Sequence, residues 1–331
     1  MDGICTLAND RVCDQAIALL NSIEAILGKD FPVCIYPYDD NLEQLSAAIA
    51  NRPNVEIYSD RNSMATWDSF VKTAWNTHPT AFQQWNQAGS QGYHRFGTHR
   101  RYCAFDAPFD RFLYMDADTI LLDDPTPIFE QLEHHDCVVY DFQFKDLTHV
   151  YDIHSSKLTR VFPQERLDRE IFCSGLYASK KEEFPPEQRA WLVEQLKAGD
   201  SEILYPMAPD QTLINYMMMR SEKSIYNLAL EWSSDRITGC CVTSPHFQMK
   251  DNLVYDKSIR LIYLHYIGIS SRFFVRLCQG ENIDFPYRDI FLYYRYLHEP
   301  EKRPKLSGNP KRYDAAPGFF QKVKRKLGIK N

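Results

Sequence analysis

The N-terminal quarter alternates short apolar runs with amphipathic stretches, an order that few folds satisfy. GICTL at 3–7, PVCIY at 32–36 and VEIYS at 55–59 have the length and the β-branched or aromatic content of buried strands. After the first of them Ala16, Ile17, Leu19, Leu20, Ile23 and Ile26 recur at helical spacing over 12–27. Residues 42–50 read as a second helix, and Trp67, Phe70, Val71, Ala74 and Trp75 share one face of a third over 64–75. A β-α-β-α-β-α order predicts an α/β fold, a mostly parallel central sheet flanked by helices. Right-handed crossovers line up the loops that follow the strands along one edge of the sheet, where ligands bind.

The rest of the chain continues in the same idiom. Residues 76–94 are polar and read as a mobile loop, and 95–105 as a helix. RFLYM at 111–115, DCVVYD at 136–141, FCSGLYAS at 172–179 and RLIYLHY at 260–266 read as strands, with helices over 186–197, 210–219 and 286–297. The 331 residues are therefore read as one elaborated domain over 1–298, followed by a tail over 299–331 whose boundary is marked by EKRPKLSGNPKR at 301–312. No apolar run approaches the roughly 18 residues needed to cross a bilayer. MDGICTLAND has no basic n-region of the kind a signal peptide carries, so a cytoplasmic protein is expected. Nine cysteines (5, 13, 34, 103, 137, 173, 240, 241 and 278) form no CxxC pair, which points to small buried side chains, not a disulfide framework or a zinc site.

Charge is unevenly placed. Residues 302–331 hold ten Lys/Arg against one Asp, leaving 28 basic against 43 acidic residues in the body. An acidic body argues against nucleic-acid binding. The tail GFFQKVKRKLGIKN sets apolar residues among lysines and arginine, a pattern that fits either an anionic membrane surface, with peripheral attachment at its inner face, or a solvated terminus.

The most informative stretch is RFLYMDADTILLDDPTPIF at 111–129, where an apolar strand runs into Asp116-Ala117-Asp118 and resumes with Ile120-Leu121-Leu122. Two carboxylates one residue apart at a strand end can both reach one hard cation if the backbone turns there; Mg²⁺ or Mn²⁺ held this way keeps open positions for a diphosphate. The plainer reading is an acidic turn whose carboxylates accept loop N–H groups. Asp123-Asp124 reads as the cap of a short helix, His134-His135 as exposed, Met217-Met218-Met219 as helix packing, and the aromatics of 285–297 as core.

Taken in order, five stations over residues 3–278 resemble the nucleotide-sugar glycosyltransferases of the GT-A fold, and among them the retaining family 8 group that includes glycogenin, galactinol synthases and bacterial lipooligosaccharide galactosyltransferases. The stations are TLAND at 6–10 with the helix after it, HRRYCAFDAPFDRFLYMDADTILLDDPTPIF, FCSGLYAS, PDQTLINYM and LHYIGIS. The resemblance implies that Asp116, Asp118 and His265 coordinate Mn²⁺ or Mg²⁺, although an isolated histidine in an apolar strand would otherwise read as core. It implies that Leu7, Ala8 and Asn9 line a uracil and ribose site, and that Arg101 and Ala117 border the sugar diphosphate. Gly268 would let backbone N–H groups approach phosphate, Cys173, Ser174 and Gly175 would border the donor sugar, and Asp210 and Gln211 would sit beneath it as catalytic residues.

Two positions depart from the family pattern. Its diphosphate-binding Lys is Ser271 here, with Arg272 next to it as the substitute, and its Asn in Asn-Ser-Gly is Cys173. The implied activity is transfer of a hexosyl group from a nucleotide sugar to a glycan, lipid-linked or small-molecule hydroxyl, with retention by front-face attack. Two other readings stand beside it. A non-catalytic relative would bind nucleotide sugar or glycan without turnover. A haloacid-dehalogenase-type phosphatase also accommodates MDADTI, but such enzymes carry that motif on their first strand, and three strand–helix units precede it here.

Overall fold

The computed structural model describes residues 1–314; the amphipathic stretch of the tail lies outside the described residues. The expected α/β architecture is present. Eight strands lie in or beside the central sheet: β1 (Asp2–Ala8), β2 (Val33–Pro37), β3 (Val55–Ile57), β4 (Arg111–Met115), β5 (Thr119–Leu121), β6 (Cys137–Val139), β7 (Leu176–Lys180) and β8 (Ile225–Asn227). Seven of them form one sheet in the order β3-β2-β1-β4-β7-β6-β8. All neighbours are parallel except those of β7, which runs antiparallel to both β4 and β6. The chain winds outward from β1 to β3 and then returns to β4 on the other side of β1. This reversal opens a crevice at the carboxyl ends of β1 and β4.

The period-two alternation of the strands sorts side chains onto two helical layers. Cys34 and Tyr36 of β2 and Phe112 and Tyr114 of β4 face a layer that contains Trp67, Phe70 and Trp75 of the helix α3 (Arg61–Asn76) and Met217–Met219. Val33, Ile35, Leu113 and Met115 face the opposite layer, with Ala16, Leu19, Leu20 and Ile23 of α1 (Cys13–Leu27) and Leu45 and Ile49 of α2 (Glu43–Ile49). Asp60 caps α3 through the N–H groups of Asn62 and Ser63. A third apolar cluster, with Phe274, Phe285, Phe291 and Tyr294, joins the C-terminal helices to α1 and β5 and holds the aromatics of 285–297 as core.

Several local expectations change. Residues 76–94 are not an open loop: Ala81–Gln87 is helical, because Trp85 is buried against Trp75 and donates its indole N–H to the Pro206 carbonyl at 2.7 Å. FCSGLYAS is a strand only from Leu176, since the N–H groups of Cys173 and Ser174 bond to the Asp141 carboxylate and the Gln211 amide oxygen. RLIYLHY breaks into Ile259–Arg260, the last strand of a three-stranded meander, and Tyr263–His265, which pairs with β5. Of the segment read as a tail, Ser307–Arg312 pairs in parallel with Glu281–Asp284. All nine cysteines are free. Among the described residues no helix is long and apolar enough to cross a membrane.

Candidate active site

The crevice beside β1 and β4 collects most of the expected residues. β4 ends at Met115 and the chain turns at once: the N–H and hydroxyl of Thr119 both donate to the Asp116 carbonyl, at 3.0 and 2.7 Å, before β5 starts. This is the turn that lets two carboxylates one residue apart face a common point. The third group arrives across a strand pair, because β5 is antiparallel to Tyr263–His265 with Thr119 opposite His265. One ligand atom from each of Asp116, Asp118 and His265 then lies within 4.8 Å of the other two. Gly175 leaves the space the imidazole occupies; a Cβ there would stand 2.5 Å from His265 Cε1 and 3.1 Å from Asp116 Oδ2.

Two carboxylates and an imidazole, with the carboxylates about a quarter exposed (26% and 27%), make a donor set suited to a divalent cation that keeps open positions. His265 Nε2 lies 3.4 Å from Asp118 Oδ1. Burial opposes the charged imidazole, but Asp118 outweighs it and holds His265 well above the ordinary histidine range. Burial would likewise raise Asp118, yet its imidazole partner keeps it low, while Asp116 is pushed up by burial and by its neighbour Asp118. A cation held by the triad would therefore compete with a proton for the same groups.

Arg101, expected beside the sugar diphosphate, lines the crevice but is 3% exposed and heavily committed. Its Nη2 pairs with Asp116 at 3.2 Å and Asp210 at 3.1 Å, its Nε and Nη1 donate to the Thr98 and Ser174 carbonyls, and its guanidinium lies over the Tyr114 ring at 4.8 Å. Burial would raise Asp210, but Arg101 and then Arg95 hold its carboxyl below the usual range. Gln211 is fixed at both ends of its amide, accepting from the Ser174 N–H at 3.1 Å and donating to the His149 carbonyl at 3.0 Å.

The crevice has two lobes that meet at the Asp116–Asp118 turn. One, of about 470 Å³, is bordered by Leu7, Ala8, Asn9, Tyr38 and Ala117. The other, of about 520 Å³, is bordered by Cys173, Ser174, Gly175, Asp210, Gln211 and Gly268. Gly268 holds φ +80°, a left-handed backbone for which glycine is suited. Arg272 alone of the expected residues lines neither lobe. It borders an adjoining cavity of about 810 Å³ and packs over Phe273 at 4.7 Å, because the helix Ser271–Cys278 turns it away.

Sequence reasoning missed several lining residues. Tyr38 and Asp39 directly follow β2, and Asp39 accepts the Asn9 side-chain amide at 2.9 Å, so extending the strand-end rule from β1 to β2 would have found them. Arg95, Tyr205 and Met207 border the second lobe from irregular segments and His149 from the short 3-10 turn Leu147–His149, where no motif marks them. Asp141, buried behind the Cys173 N–H, is pushed up to about 7 by burial.

No protein-family model and no curated protein matches the sequence. Solved structures do. The apo form of the bifunctional glycosyltransferase WbbM aligns with a TM-score of 0.51 at 14% identity, over 91% of this chain and 51% of that one. This chain therefore spans about half the length of WbbM. The galactosyltransferase LgtC in complex with donor and acceptor sugar analogues gives 0.47 at 15% identity, over 81% and 87%. The glycosyltransferase GlyE of Streptococcus pneumoniae TIGR4 gives 0.48 at 13% identity, over 92% and 65%. With its reversal of strand order at β1 and β4 and its acidic turn at that edge, the chain has the GT-A glycosyltransferase fold.

Proposed function

We propose that the protein is a metal-dependent, retaining glycosyltransferase that moves a hexosyl group from a nucleotide sugar, a UDP-sugar by the residues of its first lobe, to a hydroxyl of a glycan, lipid-linked or small-molecule acceptor. The observation that carries this reading is the convergence of Asp116, Asp118 and His265 within 4.8 Å where two lobes of the switch-point crevice meet. The nucleoside is assigned to the lobe of Leu7, Ala8 and Asn9, and the sugar to the lobe of Cys173–Gly175, Asp210 and Gln211.

In the reaction the bond from anomeric carbon to diphosphate oxygen breaks, with its electron pair staying on that oxygen. The acceptor oxygen forms the new bond on the same face, and its proton passes to the departing diphosphate. Asp116, Asp118 and His265 would hold a divalent cation, which would supply neutralisation of the charge that develops on the diphosphate. Arg101 keeps Asp210 ionised and fixed in the sugar lobe, so a carboxylate is in place for the positive charge that develops at the anomeric centre. Gln211, tied at both ends of its amide, positions the sugar and is too poor a nucleophile to bond to it. Gly268 and the backbone beside it leave room for phosphate oxygens.

The test is release of nucleoside diphosphate from a panel of nucleotide sugars with Mn²⁺, Mg²⁺ or chelator. Turnover with at least one donor, lost in chelator and in Asp118→Ala, is expected; Asp118→Ala turning over like the wild type would remove the metal assignment. Ser271 and Cys173 favour a second reading, a relative that binds donor without turnover, which the same panel separates. The phosphatase reading is not supported: the acidic turn follows the fourth strand of the chain, and Asp116 is held by Arg101 and by the Tyr114 hydroxyl. The basic amphipathic stretch is assigned to an anionic membrane surface, and truncation after Asp314 is expected to lower cosedimentation with anionic vesicles.

A further inference from the structure

We propose that Arg95 is the cation that engages the donor diphosphate, taking the role left open at Ser271; the proposal rests on the donor reading above. A donor with its nucleoside in one lobe and its sugar in the other must lay both phosphates across the neck between them. Two cations border that neck in both lobes, Arg95 and Arg101. Arg101 is buried and most of its donors are directed at Asp116, Asp210 and two carbonyls. Arg95 is exposed and makes no ion pair among the described residues. Its charge nevertheless reaches the site, since it is one of the groups that hold Asp210 low. The substitute suggested by the sequence, Arg272, borders a different cavity and lies over Phe273.

The backbone gives a second, independent reason. Arg95 has φ +51°, a left-handed conformation that is strained for a non-glycine residue and persists only where surroundings enforce it. They do so here. The Thr98 N–H and hydroxyl both donate to the Arg95 carbonyl, at 3.1 and 2.9 Å, and Gly97 passes so close to Tyr38 that a Cβ would lie 2.5 Å from its carbonyl oxygen. The segment is thereby pinned across the nucleoside lobe with the arginine at the neck. A guanidinium there offers paired N–H donors to diphosphate oxygens and stays protonated throughout, so it stabilises the leaving group without taking or giving a proton.

The experiment is calorimetric binding of UDP and of uridine, with Mn²⁺ present, to the wild type, R95Q, R95K and R272Q, with circular dichroism to verify each fold. Removal of a charged hydrogen-bonding partner is expected to weaken UDP by about 10- to 100-fold in R95Q, with partial recovery in R95K and uridine unchanged. UDP binding unchanged in R95Q, uridine weakened in equal measure, or a loss confined to R272Q would each overturn the assignment. A wild type that binds neither UDP nor GDP would instead overturn the donor reading on which it rests.

Discussion

Replacing Arg101 by Met tests the electrostatic frame of the site, because it removes the charge and keeps most of the volume. Asp210, with its side chain 5% exposed, loses an ion partner at 3.1 Å, and the Thr98 and Ser174 carbonyls lose their donors. Asp116, 26% exposed, turns to solvent and adds little. Orphaning one buried carboxylate costs about 3–5 kcal/mol, so Arg101→Met is expected to lose that much stability at pH 7. The deficit carries a pH signature. In the wild type Asp210 is held low, so its contribution is present above the unfolded carboxyl value of about 3.9 and is lost only as pH falls through the depressed folded value. In the variant burial prevails and Asp210 takes up a proton at higher pH, so the gap narrows from pH 7 to pH 5. Urea unfolding followed by tryptophan fluorescence at the two pH values measures it, and adding Asp210→Asn should restore at least half of the loss. A deficit under about 1 kcal/mol at pH 7, or one equal at both pH values, would refute the reasoning.

Three further outcomes are expected. Gly175→Ala should push the imidazole aside and cut Mn²⁺ affinity at least tenfold while the thermal midpoint of the apo protein moves little, because the added Cβ meets His265 Cε1 at 2.5 Å; calorimetry of both proteins checks this. Mn²⁺ affinity of the wild type should climb with pH, by up to about tenfold per unit, while His265, held above its ordinary range, must shed a proton to ligate; a flat profile between pH 6 and 8 would count against it. Trp85→Ala should cost about 3–5 kcal/mol in urea unfolding, since the indole is 1% exposed and its N–H bond to Pro206 is lost.

What was legible in the sequence was what local pattern controls. Strands β1 to β4 and helices α1 to α3 follow from apolar periodicity, and the acidic turn follows from an apolar run broken by Asp116 and Asp118 and then resumed. What stayed hidden depends on tertiary partners. The helix Ala81–Gln87 forms because Trp75 gives Trp85 a place to bury itself, which no window of polar residues reveals. In the meander, Asp251-Asn252 turns at φ +52° and +61° and carries a hairpin signature, whereas Lys257-Ser258 turns at +49° and +72° with residues that do not announce it. The site divides in the same way: Asp116, Asp118, His265, Asp210 and Gln211 lie on motifs, while Arg95 and Tyr205 sit on irregular segments and reach the crevice only through folding.

The third member of the triad comes from a strand nearly 150 positions further along the chain, joined to the acidic turn by the short pairing of β5 with Tyr263–His265. An ion gripped by all three groups would therefore be a crosslink between the acidic turn at the end of β4 and the C-terminal layer. Loading it would fasten those two parts beyond the strand pairing, the flanking backbone bonds (the Leu122 and Asp123 N–H groups to the Ile262 carbonyl, the Tyr266 N–H to the Asp118 carbonyl) and the apolar packing that already join them. Amide exchange at Leu264 and Tyr266 should slow when Mn²⁺ is supplied, with or without a nucleotide sugar present.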